Sequence, residues 1–138
     1  MSEPATGQRR FRPAVNDDTA FWWEGARQGE LRIQECLSCG TLRHPPCPMC
    51  AVCNSRDRGW VLSSGRGVIH SWVVHHHPPV RGMKLPYVVV LVELPEGIRV
   101  IGNLLDGPDA AIAIGAAVDV DFAADAGDDM VLAQWRLA

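Results

Sequence analysis

Five cysteines fall between Cys36 and Cys53, in the stretch CLSCGTLRHPPCPMCAVC, and the chain has no others. This segment is rich in proline and polar residues and can make little hydrophobic core of its own. Its fold must come from what the thiols bind. Cys36 and Cys39 form one C-x-x-C unit; Cys50 completes a second with either Cys47 or Cys53.

Two thiolates from each of two tight turns close a tetrahedron around one Zn2+, and four such donors leave no open position for water or substrate. The spacing therefore predicts a zinc ribbon whose metal supports the fold and performs no chemistry. In such knuckles the residue after the second cysteine often has a left-handed backbone, which Gly and Asn tolerate and Ala does not. Gly40 follows Cys39 and Asn54 follows Cys53, whereas Ala51 follows Cys50. The expected ligands are thus Cys36, Cys39, Cys50 and Cys53, with Cys47 a bystander. Pro48 suits a rigid turn inside CPMC and keeps the set with Cys47 in place of Cys53 open.

Clustered cysteines are metal ligands more often than disulfides in a reducing compartment. The opening MSEPATGQRRFRP carries arginines and no apolar run, unlike a secretory signal. A cytoplasmic protein is expected. A hydrophobic fraction of 47% with 21% charged residues reads as globular, and the formal charge of −3 shows no basic excess of the kind a nucleic-acid binder carries.

Residues 1–15 read as a flexible arm and residues 16–30 as a short helix entered through Asn16-Asp17-Asp18-Thr19, whose side-chain oxygens suit a helix N-terminus. On that helix Phe21, Trp22 and Trp23 fan out over roughly 200° of arc, too wide for one small core to cover. They are expected either to plug the space between two modules or to dock a partner protein. Residues 31–58 hold the ribbon, with Leu31 and Ile33 alternating with polar neighbours as a strand entering the cysteines. From residue 59 to 138 the chain is a series of strand patterns, among them VIHSWVVHHH, YVVVLVEL, IRVIGNLL, VDVDF and MVLAQWRLA, separated by short turns. That series predicts a small β-barrel. The acidic stretch from Asp119 to Asp129 is accounted for by strand alternation and a solvated turn.

The order of these pieces carries a resemblance. FWWEGARQGELRIQECLSCGTLRHPP, SSGRGVIHSWVVHHHPP, LPYVVVLVELPEGIRVIGNLLD and IGAAVDVDF resemble successive segments of the rubredoxin-type zinc-ribbon/OB-fold family of acyl-CoA-associated proteins, long known as a domain of unknown function. The likeness runs over roughly residues 18 to 136. It implies a mainly β fold: a short N-terminal helix, a rubredoxin-like zinc ribbon and a small OB-fold barrel. It also implies ligands that follow Pro45-Pro46 after three residues, at Cys50 and Cys53. Family members usually carry a basic residue where Cys47 stands and proline where Ala51 stands.

Such proteins accompany thiolase-superfamily enzymes that hold the catalytic residues. The resemblance implies a non-catalytic accessory subunit with structural Zn2+ that stabilises a thiolase-like acyl-CoA enzyme and helps hold or channel the acyl-CoA. The WVVHHHPP form is similar to the branch paired with retro-aldolases of steroid side-chain degradation; an acetyl-CoA acetyltransferase or a hotdog-fold enoyl-CoA hydratase is the other kind of partner. Phe21, Trp22 and Trp23 are candidates for the partner interface. Arg66, His75, His76, His77, Arg81 and Lys84 are candidates for a lip facing acyl-CoA or the partner. Consecutive strand residues point to opposite sides, so the three histidines make a poor metal-binding face. The competing reading is an OB module for single-stranded nucleic acid with Trp60, Trp72 or Tyr87 as stacking platforms.

Overall fold

The computed structural model describes residues 9–127 and 129–138; the first eight residues of the expected arm lie outside the described residues. Among the described residues one helix, α1 (Ala20–Arg27), precedes eight strands: β1 (Arg32–Cys36), β2 (Leu42–Arg43), β3 (Arg58–Leu62), β4 (Arg66–His75), β5 (Tyr87–Glu93), β6 (Arg99–Asn103), β7 (Ala117–Ala123) and β8 (Leu132–Leu137). The protein is mainly β, as its turn-punctuated strand patterns predict.

The helix entry differs in detail from expectation. Thr19 occupies the N-cap but its side chain makes no capping bond. Asn16 does this one turn earlier, its Oδ1 accepting from the N–H groups of Asp18 at 3.0 Å and Thr19 at 3.1 Å.

The ribbon sheet runs β2-β1-β3, all antiparallel. β1 is its central strand and is buried on both faces, which single-sided alternation does not show. Ile33 faces the main core, while Arg32 and Gln34 point the other way and are also buried. These polar side chains are held by specific partners. Arg32 Nε donates to Glu30 Oε2 at 2.8 Å, Nη2 donates to Gln28 Oε1 at 3.2 Å, and the guanidinium lies 4.0 Å from the Trp60 ring centroid. Gln34 Oε1 accepts from Arg43 Nε at 2.7 Å and from the Cys47 N–H at 2.9 Å. β3, although it opens the run of strands after the cysteines, pairs with β1 from Arg32↔Leu62 to Cys36↔Arg58 and so belongs to the ribbon sheet.

The second sheet runs β6-β5-β4-β7-β8, again antiparallel, with a bulge in β4 between Ile69 and Ser71. Val88, Val90 and Val92 of β5 point inward with Ile69, Val100, Val118 and Trp135, all of them buried. The sheet curls until its edges meet, closing an OB-type half-barrel through a parallel bridge, Leu104↔Trp135. The Leu105 N–H donates to the Trp135 carbonyl at 2.8 Å and the Asn103 N–H to Gln134 Oε1 at 2.7 Å. Gly102 permits this approach: a Cβ there would lie 2.9 Å from Trp135 Cδ1 and 3.1 Å from the Ala133 carbonyl.

Trp22 of α1 and Leu31 and Ile33 beside it join the same apolar cluster as the half-barrel valines and Trp135. The ribbon is thus fastened to the barrel through shared hydrophobic contacts and not only through the chain.

Candidate metal centre and the surrounding faces

The cysteine segment folds into two knuckles with matching hydrogen bonds. The Cys36 N–H donates to the Thr41 carbonyl and the Gly40 N–H to the Cys36 carbonyl; the Cys50 N–H donates to the Ser55 carbonyl and the Asn54 N–H to the Cys50 carbonyl, each at 2.8 to 2.9 Å. Gly40 has φ +77° and Asn54 φ +62°, the latter the one non-glycine with positive φ among the described residues. These are the two positions that turn chemistry picks out. A hydroxyl pair, Ser38 Oγ and Ser55 Oγ at 2.8 Å, ties one knuckle to the other.

The knuckles bring Cys36, Cys39, Cys50 and Cys53 together, with all four Sγ atoms within 4.8 Å of one another. Cys36 and Cys53 Sγ are 3.5 Å apart and Cys39 and Cys50 Sγ 3.7 Å apart. A tetrahedron with metal–sulfur bonds of about 2.3 Å has edges of about 3.8 Å, so the donor set fits a zinc-sized ion. None of the five cysteines is in a disulfide. Cys47 stands outside the group: its thiol donates to the Met49 carbonyl at 3.4 Å.

The electrostatics of the bare thiols point the same way. The Cys39 N–H, followed by burial acting in opposition and then the Ser38 N–H, leaves the Cys36 thiol lowered to about 6. Cys50 is lowered in the same manner, first by the Cys53 N–H. The Ser55 N–H favours the Cys53 thiolate, but the Cys36 sulfur, burial and the other two thiols outweigh it and push Cys53 up to about 12. Knuckle amides thus stabilise some thiolates, yet four adjacent negative charges oppose one another. A bound dication removes that opposition.

Most other candidate residues gather elsewhere. His75, at the end of β4, stacks on Tyr87 with ring centroids 4.7 Å apart, and its Nε2 lies 2.8 Å from the Pro78 carbonyl oxygen. His76 and His77 follow it on the surface. Arg81 lies over the Phe11 ring at 5.5 Å, and Lys84 lines a cleft of about 560 Å³ whose apolar walls include Leu85, Val88 and Leu104. Arg66 stands apart, at the opposite end of a ten-residue strand about 30 Å long, across from Asp119 of β7. The structure therefore does not bring it to the same lip.

On α1, Trp22 is buried in the core, its ring 4.8 Å from that of His44. It acts as a plug between modules and leaves little of its surface to a partner. Phe21 and Trp23 pack against the core but remain half-buried, and Trp23 also covers a small cluster of Ala126, Met130 and Leu132. The three aromatics named for base stacking do not share a surface. Trp60 lies in the ribbon sheet beneath Arg32, Trp72 packs against the main core and Tyr87 stacks on His75.

Sequence inspection missed the role of the arm. Arg10 Nη1 donates to Asn103 Oδ1 at 2.9 Å, and Arg12 grips both carboxylate oxygens of Asp129 at 2.6 Å. The one available signal was complementary charge, RRFR against the acidic turn after β7, and only the tertiary fold shows that the two meet.

These features have known counterparts. Residues 23–57 match the rubredoxin-like zinc-ribbon domain of ChsH2, and residues 60–123 match the ChsH2 C-terminal OB-fold domain. A DUF35 domain-containing scaffold protein of Methanothermobacter thermautotrophicus is 33% identical over 122 residues, which cover 86% of this chain and 92% of the relative. The chain belongs to the DUF35 family. Within that family it is similar to the 3-oxo-4,17-pregnadiene-20-carboxyl-CoA hydratase alpha subunit of Mycobacterium tuberculosis, at 49% identity over 112 residues. Those residues cover 81% of this chain but 36% of the relative, so this DUF35 chain spans about a third of that protein's length. A solved structure described as the Ltp2-ChsH2(DUF35) aldolase contains a chain 45% identical, with a TM-score of 0.84, covering 91% of this chain and 98% of that one. No helix among the described residues is long and apolar enough to cross a membrane.

Proposed function

We propose that this DUF35 protein is a non-catalytic accessory subunit of a thiolase-superfamily acyl-CoA enzyme, a retro-aldolase acting on steroid side-chain CoA thioesters. One observation carries the reading: the match to the aldolase-complex chain extends over 98% of that chain, with a TM-score of 0.84. The hydratase subunit supports the same substrate class, since its name specifies a steroid carboxyl-CoA. Cys36, Cys39, Cys50 and Cys53 would hold one structural Zn2+, whose bonds supply folding free energy to a segment with little core. Cysteines grouped as metal donors suit the cytoplasm.

The partner contact on α1 falls to Phe21 and Trp23, because Trp22 is occupied by the core. His75, His76, His77, Arg81 and Lys84 form the end of the molecule from which acyl-CoA or the partner would be approached, without Arg66. Co-expression with a thiolase-like acyl-CoA enzyme is the test. A stable heteromer with retro-aldol cleavage of a steroid acyl-CoA, and with no turnover by this chain alone, is the expected result. A monomer that captures no such protein would overturn the reading.

The 49% identity to a hydratase alpha subunit favours one second reading, a partner that hydrates an enoyl-CoA. The same complex separates the two: hydration of the enoyl thioester without carbon–carbon cleavage selects the hydratase.

A further inference from the structure

The cleft of about 560 Å³ beside Lys84 has a neighbour of about 340 Å³, and Arg10, Met83, Tyr87 and Asn103 line both. The second is walled by Trp22, Trp23, Val89, Ile101 and Ala133, so apolar surface continues from the start of β5 to the junction of β6 and β8. What separates the two volumes is in part the arm. Its backbone runs against Gly82, where a Cβ would collide with the Arg10 nitrogen and the Arg9 carbonyl carbon.

The arm is held down by polar contacts. Besides the Arg10–Asn103 and Arg12–Asp129 bonds, the Arg10 N–H approaches the Asp125 carbonyl at 3.4 Å. Phe11, the large apolar side chain of this stretch, is 68% exposed. The Arg81 guanidinium over the Phe11 ring adds a further surface contact, and a segment fixed by surface contacts of these kinds opens locally, without unfolding what lies beneath it. The Arg12–Asp129 pair is a solvent-exposed, outer fastening. Charges around the larger cleft are of both signs, with Arg10 and Lys84 set against Asp109 and Asp125, which suits an uncharged body better than an anion.

We propose that residues 9–12 are a releasable strap dividing one apolar groove into two clefts, and that lifting the strap opens the groove to an elongated, uncharged, mostly apolar molecule. This device belongs to the chain itself and goes beyond the accessory role, so it stands or falls separately from the identity of the partner.

The test uses the full metal-loaded chain, trypsin and the uncharged apolar dye Nile red. Asp129→Asn removes the acceptor charge of the outer fastening. It should raise both the rate of tryptic cleavage after Arg10 and the affinity for the dye by about two- to fivefold, the range of an exposed ion pair. The melting temperature should not change. Raising the salt concentration should do the same to the unsubstituted protein and little to the variant. Asp121→Asn, which loses a comparable exposed pair with Arg136 and lines neither cleft, is the control and should alter neither readout. Unchanged cleavage and dye binding in Asp129→Asn, or an equal response in Asp121→Asn, would overturn the proposal. So would faster cleavage with no gain in dye binding, since the arm would then cover nothing that binds.

Discussion

Ile33 offers a direct test of whether the ribbon and the half-barrel are one cooperative unit. Its side chain, 0% exposed, belongs to the ribbon sheet through β1 yet lies in the cluster that contains Val90, Val100 and Trp135. Ile33→Ala removes three buried carbons and leaves a cavity between two sheets that cannot both collapse onto it. Such truncations cost 2–5 kcal/mol, and at a fully enclosed site about 3 kcal/mol is expected. For a domain of this size that lowers the melting temperature by about 10 °C. Ile33→Val, a loss of about 1 kcal/mol, keeps the test usable if the larger truncation fails to fold. Thermal unfolding should be followed both by far-ultraviolet circular dichroism, which reports mainly the strands of the half-barrel, and by release of bound metal, which reports the ribbon. A shared core requires both signals to move together and by the same amount. A barrel transition left in place while metal is released at lower temperature would refute the shared core.

Three further outcomes follow from particular contacts. Cys53→Ser should lower bound metal to well under one equivalent, while Cys47→Ser should retain it, as metal analysis after gel filtration will show; the reverse result would restore the ligand set containing Cys47. Gly102→Ala should cost about 1–3 kcal/mol in denaturant unfolding, because its methyl would press on a fully buried indole and a backbone carbonyl that have nowhere to go. Burial lowers the His44 imidazole to about 4, so the folded state binds fewer protons than the unfolded chain, whose histidine titrates near 6.5. The stabilisation is complete above pH 6.5 and is lost as pH falls toward 4. Between pH 7.5 and 5.5 His44→Phe, which keeps a ring against Trp22, should abolish about 1.4 kcal/mol of the unsubstituted protein's pH-dependent loss.

The parts that could be read in advance are those governed by local chemistry. Cys36-x-x-Cys39-Gly40 and Cys50-x-x-Cys53-Asn54 carry both the donor spacing and the left-handed residue each knuckle needs, and the structure places the four sulfurs together. The alternation in VDVDF became β7 because period two is a property of the strand itself, and the β-branched apolar run of YVVVLVE became β5 because such residues favour the strand. Arg32 and Gln34 were not legible as buried residues. Polar side chains in a strand read as solvent-facing unless their partners are known, and those partners, Gln28, Glu30 and Arg43, are supplied by the helix turn and a neighbouring strand.

Three aromatics in a row on α1 could not by themselves reveal which of them enters a core, because helical spacing spreads them around the axis and neighbouring surfaces choose. The packing selected Trp22. The grouping of His75 to Lys84 without Arg66, and the seating of the arm across two clefts, were likewise decided by the tertiary fold. By itself the sequence determined the secondary structure of the strands, the metal knuckles and the order of modules, since these rest on the spacing of residues a few positions apart. Only the tertiary structure decided which faces are joined, which are left open and where the arm lies. Those outcomes depend on contacts between segments as distant as Arg12 and Asp129.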